Sequence, residues 1–200
     1  MPGRIKSLRA GVENYALKFL EQGRSGWDIK HTRAVAFYAE KIALSEGLDA
    51  EVLYTAAWLH DVGYYGLFEN SDSTQHSQIM DKKLLHMTNG AKLARAFFQM
   101  SEITPLYTTE QIEEIIHLVE VHDNLEVVGK SREETVLVEA DTLGAIDLQR
   151  LSPTFKKEDG LKYIDGLKKK RIPKFKTDLG KQFLSKLLPA FIEYFEKMES

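Results

Sequence analysis

AEVLYTAAWLHDVG, running from Ala50 to Gly63, reads as a helix that places two chemically active residues in its last turn. Leu53, Ala56 and Ala57 recur at helical steps, Gly47 precedes the run and Gly63 stops it. His60 lies three and four residues after Ala57 and Ala56, and Asp61 lies four after Ala57, so both side chains point inward. The same periodicity extends outward. Over residues 27–45 the apolar positions Trp27, Val35, Tyr38 and Ile42 form one stripe, with Arg33, Glu40 and Lys41 elsewhere. Further helical patterns cover about 76–86, 90–100, 109–122, 132–148 and 181–198. Residues 103–108, with Pro105, are a break. The loop 63–75 carries Gly66, Asn70, Ser71, Asp72 and Ser73, and its length predicts a lid or mouth. Strand-like alternation goes no further than 125–128, and there is no internal repeat. The fold class that follows is all-α, one domain over residues 1–200.

Composition agrees with that reading. The 200 residues are 43% hydrophobic and 28% charged, as in an ordinary globular domain, and a chain of this size buries roughly 70% of its unfolded surface. With no cysteine, a disulfide framework and a thiolate metal site are excluded, so any metal must be held by His, Asp or Glu. A net charge of −3 argues against bulk binding to nucleic acid or membrane surfaces. No apolar run approaches the ~18 residues of a membrane span, and residues 1–20 mix charges into the apolar positions without a cleavage site, so a cytoplasmic location is expected. Residues 156–181 hold ten Lys/Arg against four Asp/Glu and read as a solvated basic connection before a final amphipathic helix.

The chain has six histidines, and periodicity sorts them. His31 lies four before Val35 and seven before Tyr38, on the apolar face of its helix. His122 lies seven after Ile115 and three after Val119, again inward, whereas His117 is expected to face water. Asp141, four after Leu137 and three before Gly144, falls on a buried face with no basic residue nearby in sequence. A buried carboxylate without a partner is costly, so Asp141 calls for a cation. Several inward imidazoles with two inward carboxylates point to a divalent metal, with Mn, Fe, Co, Ni, Zn or Mg left open.

These residues resemble a known family. His31, then His60-Asp61 at a helix end, then Asp141 match in order the H…HD…D signature of the HD-domain superfamily of metal-dependent phosphohydrolases. Leu59-His60-Asp61-Val62-Gly63 is similar to the family's "LHDIG" helix end, and Ala140-Asp141-Thr142-Leu143 to its "ADxL" element. The likeness makes 27–148 an HD-domain core and 149–200 a C-terminal helical extension. His86-Met87-Thr88-Asn89-Gly90 resembles the "HxxxG" element of the dinuclear subgroup, and Val121-His122-Asp123 its histidine followed by an acid, which leaves one or two ions open. The cyclic-dinucleotide phosphodiesterases of the superfamily have a lysine after "HDIG" and a "GYP" element; here Tyr64 takes that position and no Gly-Tyr-Pro occurs, so their substrate is not carried over. Tyr64 and Tyr65 are placed at the mouth of the site, where stacking on a base is the alternative and core packing the expected role.

The resemblance implies a phosphohydrolase that attacks a phosphate ester, of a nucleotide or another small phosphorylated molecule, with a metal-activated water. His31, His60, Asp61 and Asp141 would hold one ion, and His86 and His122 a second bridged by Asp61, which is the catalytic residue on this reading. Lys or Arg from 168–176 would neutralise phosphate oxygens. The alternative is a non-catalytic metal-containing helical domain that senses a ligand or scaffolds a partner; complete ligands argue against it. An RNA-associated use of the basic stretch is opposed by the net negative charge, and a homo-oligomer is left open.

Overall fold

The computed structural model describes residues 2–68 and 76–199, among which eight α-helices and no strand occur. They are α1 (Pro2–Leu20), α2 (Asp28–Glu46), α3 (Ala50–Leu59), α4 (His76–Phe98), α5 (Thr109–Val121), α6 (Arg132–Ile146), α7 (Lys157–Gly166) and α8 (Asp178–Lys197). The fold is all-α, as the periodicity requires. None of the described helices is long and apolar enough to cross a membrane. Side-chain caps start four of the eight: Asp49 accepts from the amides of Glu51 and Val52 at α3, Thr108 forms a capping box with Gln111 at α5, and Ser131 and Thr177 begin α6 and α8.

Helix α6 is the axis of the molecule. Every residue from Glu134 to Ile146 is buried, so it has neighbours on all sides, α2 and α8 foremost. Gly144 lets α2 approach closely, because a Cβ there would lie 2.7 Å from Val35 Cγ2 and 3.0 Å from the Val35 amide nitrogen. The main core joins Val35, Ala39 and Ile42 of α2, Leu53 and Ala57 of α3, Phe97 of α4, Leu118 of α5 and Leu137 and Leu143 of α6. A smaller core of Ile146, Phe155, Ile164, Leu167, Phe191 and Phe195 ties α7 and α8 to the end of α6. Buried Glu139 of α6 fixes the start of α8: its carboxylate accepts from the Lys176 and Thr177 amides at 2.5 and 2.9 Å and from the Thr177 hydroxyl.

Two sequence expectations are corrected and one element is added. The N-terminal segment, for which no element is expected above, forms α1, whose residues Leu8, Val12, Ala16 and Leu20 recur every fourth position and are buried. The patterns at 76–86 and 90–100 are one helix, because Gly90 serves contact rather than termination. The backbone of α4 lies directly on Gly63, where a Cβ would overlap the His86 carbonyl oxygen and lie within bonding range of the Gly90 nitrogen. Residues 156–181 are ordered rather than a solvated connection: α7 runs into a π-helical turn at Leu167–Arg171 and a 3-10 turn at Ile172–Lys174, pinned by buried Ile164, Leu167 and Phe175. Of the expected loop at 63–75, the chain opens with a 3-10 turn at Val62–Tyr64, while 69–75 lies outside the described residues.

Candidate metal centre

Six residues from five helices or their ends meet at one point. His31 comes from the first turns of α2, His60 and Asp61 from the end of α3, His86 from the middle of α4, His122 from the end of α5 and Asp141 from α6. All are buried. His86, read from sequence as lying before a helix, is well inside one.

Asp61 stands at the centre with its two oxygens facing opposite ways. Oδ2 lies 3.1 Å from His60 Nε2 and 3.5 Å from His31 Nε2; Oδ1 lies 3.6 Å from both His86 Nε2 and His122 Nε2. The imidazoles also pair: His31 Nε2 is 3.3 Å from His60 Nε2, and His86 Nε2 is 3.2 Å from His122 Nε2. Each triad of potential ligand atoms falls within 4.8 Å. Metal bonds of ~2.1 Å put neighbouring donors about 3.0 Å apart in an octahedron and about 3.4 Å in a tetrahedron, so both triads have the spacing of a coordination edge. Asp141 stands at the rim of the first triad, its Oδ1 3.0 Å from His31 Nε2 and 3.9 Å from His60 Nε2.

Tautomer and orientation support the same use. His60 Nδ1 is 2.6 Å from the Ala57 carbonyl and His122 Nδ1 is 2.8 Å from the Val119 carbonyl, each oxygen three residues back in its own helix. A carbonyl only accepts, so each Nδ1 carries a proton and Nε2 is the nitrogen turned to the centre. His31 and His86 have no hydrogen-bond partner at Nδ1 among the described residues, and aromatic stacking orients them instead. The Trp27 ring lies over His31 at 5.7 Å, and Tyr64 lies parallel to His86 at 4.0 Å with the Arg24 guanidinium 4.0 Å from its other face. Tyr64 is thus a packed wall of the site, and Tyr65 is the exposed one of the pair. His117, as expected, reaches the surface, 2.9 Å from Glu134.

Two arginines complete the centre: Arg24, which sequence reasoning missed, and Arg171, which lies in the basic stretch 168–176 but whose pairing with a ligand carboxylate was not foreseen. Arg24 donates to Asp61 Oδ2 and, at 2.6 Å, to buried Asp28. Arg171 donates to Asp141 Oδ2 at 2.8 Å, to Thr142 at 3.1 Å and to Asp123, which Lys83 also meets at 3.1 Å. The expectation that Asp141 has no basic neighbour is therefore corrected: Arg171, 30 residues on, reaches it from the π-helical turn. The only sequence signal was membership of the basic stretch.

These charges set the proton affinities. Burial works against the anions of Asp61 and Asp141, yet His60 and Arg24 hold the first, and Arg171 and His31 the second, well below the usual carboxylate range. Burial likewise opposes a charged His60, but Asp61 and then Asp141 outweigh it and push its pKa up to about 9. Burial and neighbouring His122 push His86 down to about 3. Both carboxylates are thus ionised at neutral pH, the form a metal requires.

The centre forms the floor of a cleft of about 180 Å³. Its sides carry four cations, Arg24, Lys83, Lys170 and Arg171, and three carboxylates, Asp61, Asp123 and Asp141. The donor set is all nitrogen and oxygen and suits a divalent first-row ion, whose binding would displace the second proton that His60 carries at neutral pH.

Comparison with known families agrees with this geometry. The family model described as HD domain matches residues 28–146, well over half of the chain and the span that supplies all six converging side chains. No curated protein and no solved structure matches the chain.

Proposed function

The chain belongs to the HD domain family, and from that premise we propose that it is a metal-dependent phosphohydrolase, cleaving the phosphate ester of a small molecule with a metal-activated water. The observation that carries the reading is Asp61, which turns one oxygen to His31 and His60 and the other to His86 and His122 at the floor of a cation-lined cleft. We take His31, His60, Asp61 and Asp141 as ligands of one ion and Asp61, His86 and His122 as ligands of a second. A divalent ion held there supplies a Lewis acid and a bound water acidic enough to ionise near neutral pH.

The chain's own residues do the rest. The Ala57 and Val119 carbonyls hold Nδ1 of His60 and His122, so that each Nε2 faces the ion site. Arg24, anchored on Asp28, keeps Asp61 from rotating and so preserves its two-sided presentation. Arg171 holds Asp141 while lining the cleft, where its guanidinium meets the non-bridging oxygens of a phosphoryl group. Lys83 and Lys170 add charge on the same side. With Asp28 offsetting Arg24, protein charges around the centre nearly cancel, so divalent ions make it positive and suited to an anionic substrate.

Phosphate release from a panel of phosphate esters with added Mn, Co, Ni, Zn or Mg tests this. Turnover that needs the metal and vanishes in Asp61→Ala, with unchanged circular dichroism, is the expected result. A protein that binds the metal but turns over no ester would instead be a sensor or scaffold.

A further inference from the structure

Phosphate hydrolysis as proposed draws only on the charged and metal-ligating residues of the cleft. Interleaved with those polar residues is an apolar lining, Trp27, Ile79, Leu125, Ala145, Phe155 and Leu167, beside the Thr154 and Tyr163 hydroxyls. Three of its rings form a continuous line, Trp27 to Phe155 at 6.1 Å and Phe155 to Tyr163 at 5.6 Å. That line begins on the metal centre itself, because the same Trp27 ring lies over His31. The line of rings therefore runs from the metal centre along the cleft.

We propose that Trp27, Phe155 and Tyr163 form the subsite for the organic group of the ester, and that it takes a flat apolar group, an aryl or comparably apolar phosphomonoester, in preference to a sugar phosphate or a nucleotide. The inference rests on the phosphohydrolase reading. Its chemistry is that of an apolar pocket: flat rings give a flat group contact on a broad face. A ribose or a base edge, by contrast, brings hydroxyls and amides that lose water here and find few partners. Each hydroxyl left unpaired costs on the order of a tenfold loss in kcat/KM.

The test compares phenyl phosphate and 1-naphthyl phosphate with ribose 5-phosphate and AMP on the metal-loaded chain. The aryl esters are expected to lead by at least about tenfold in kcat/KM. Phe155→Leu, which keeps bulk but removes the flat face, should raise KM for the aryl esters several-fold relative to ribose 5-phosphate. A second readout needs no turnover. In a Trp58→Phe background, where Trp27 is the sole tryptophan, phenylphosphonate should quench fluorescence saturably, and Phe155→Leu should weaken that binding. Ester turnover with ribose 5-phosphate or AMP preferred, or with selectivity untouched by Phe155→Leu, overturns the subsite while leaving the phosphohydrolase reading intact. Saturable quenching by phenylphosphonate with no ester hydrolysed under any metal overturns the phosphohydrolase reading and keeps the subsite.

Discussion

Replacing Arg171 by methionine keeps most of its volume and removes its charge, which makes it a sharp test of how the centre is held together. Its side chain is 13% exposed, and its partners Asp123 and Asp141 are 13% and 11% exposed. Deleting one member of a buried ion pair commonly costs about 3–5 kcal/mol, because the other charge is left alone. Neither carboxylate here is left alone: Asp141 keeps His31 at 3.0 Å and Asp123 keeps Lys83 at 3.1 Å. The expected loss in metal-free protein is therefore at the low end, about 2–3 kcal/mol, or a fall in Tm of roughly 4–12 °C for a chain of this length. A divalent ion beside Asp141 replaces part of the missing positive charge, so the gap between variant and wild type should narrow when Mn is added. By linkage the variant must then bind the ion more tightly, tenfold for each ~1.4 kcal/mol of narrowing. Thermal melts in chelator and in Mn, with a calorimetric titration of the ion, measure both. A Tm drop of the same size with and without metal would refute the idea that Arg171 and the ion serve the same carboxylates.

Three further outcomes follow from the geometry. His122→Ala should bring metal content toward one ion per chain and impair turnover; unchanged content by elemental analysis would make His86 and His122 structural and the centre mononuclear. Glu139→Ala leaves the Lys176 and Thr177 amides without their acceptor, about 1–3 kcal/mol, and should speed hydrogen exchange in α8 well before α5; uniform acceleration would show that Glu139 does not anchor α8. In metal-free protein the raised pKa of His60, about 9, contributes stability that is complete below its unfolded value near 6.5 and is lost as pH rises through 9, up to about 3 kcal/mol. Denaturant melts across that range check the sign, and His60→Ala should flatten the profile.

Much of this protein was legible in its residues alone. Apolar spacing of three and four marked α2, α3, α5, α6 and α8, and the same spacing placed His31, His60, Asp61, His122 and Asp141 on inward faces. Local periodicity carries that information because a helix face is set by angle per residue, whatever the helix packs against. It misjudged segments where the decisive contact is remote. Gly90 looks like a helix end until Gly63 is seen lying against it, and the residues before Arg171 look like solvated surface until their sparse apolar positions meet α8. Arg24 and Arg171 carry no periodic signature, since each sits outside an ordinary α-helix, in the turn before α2 and in the π-helical turn after α7. Their roles depend on carboxylates 37 and 30 residues away. Sequence spacing fixes which way a side chain leaves its own helix, but which charge it meets there depends on how the helices cross, and only the packed core decides that.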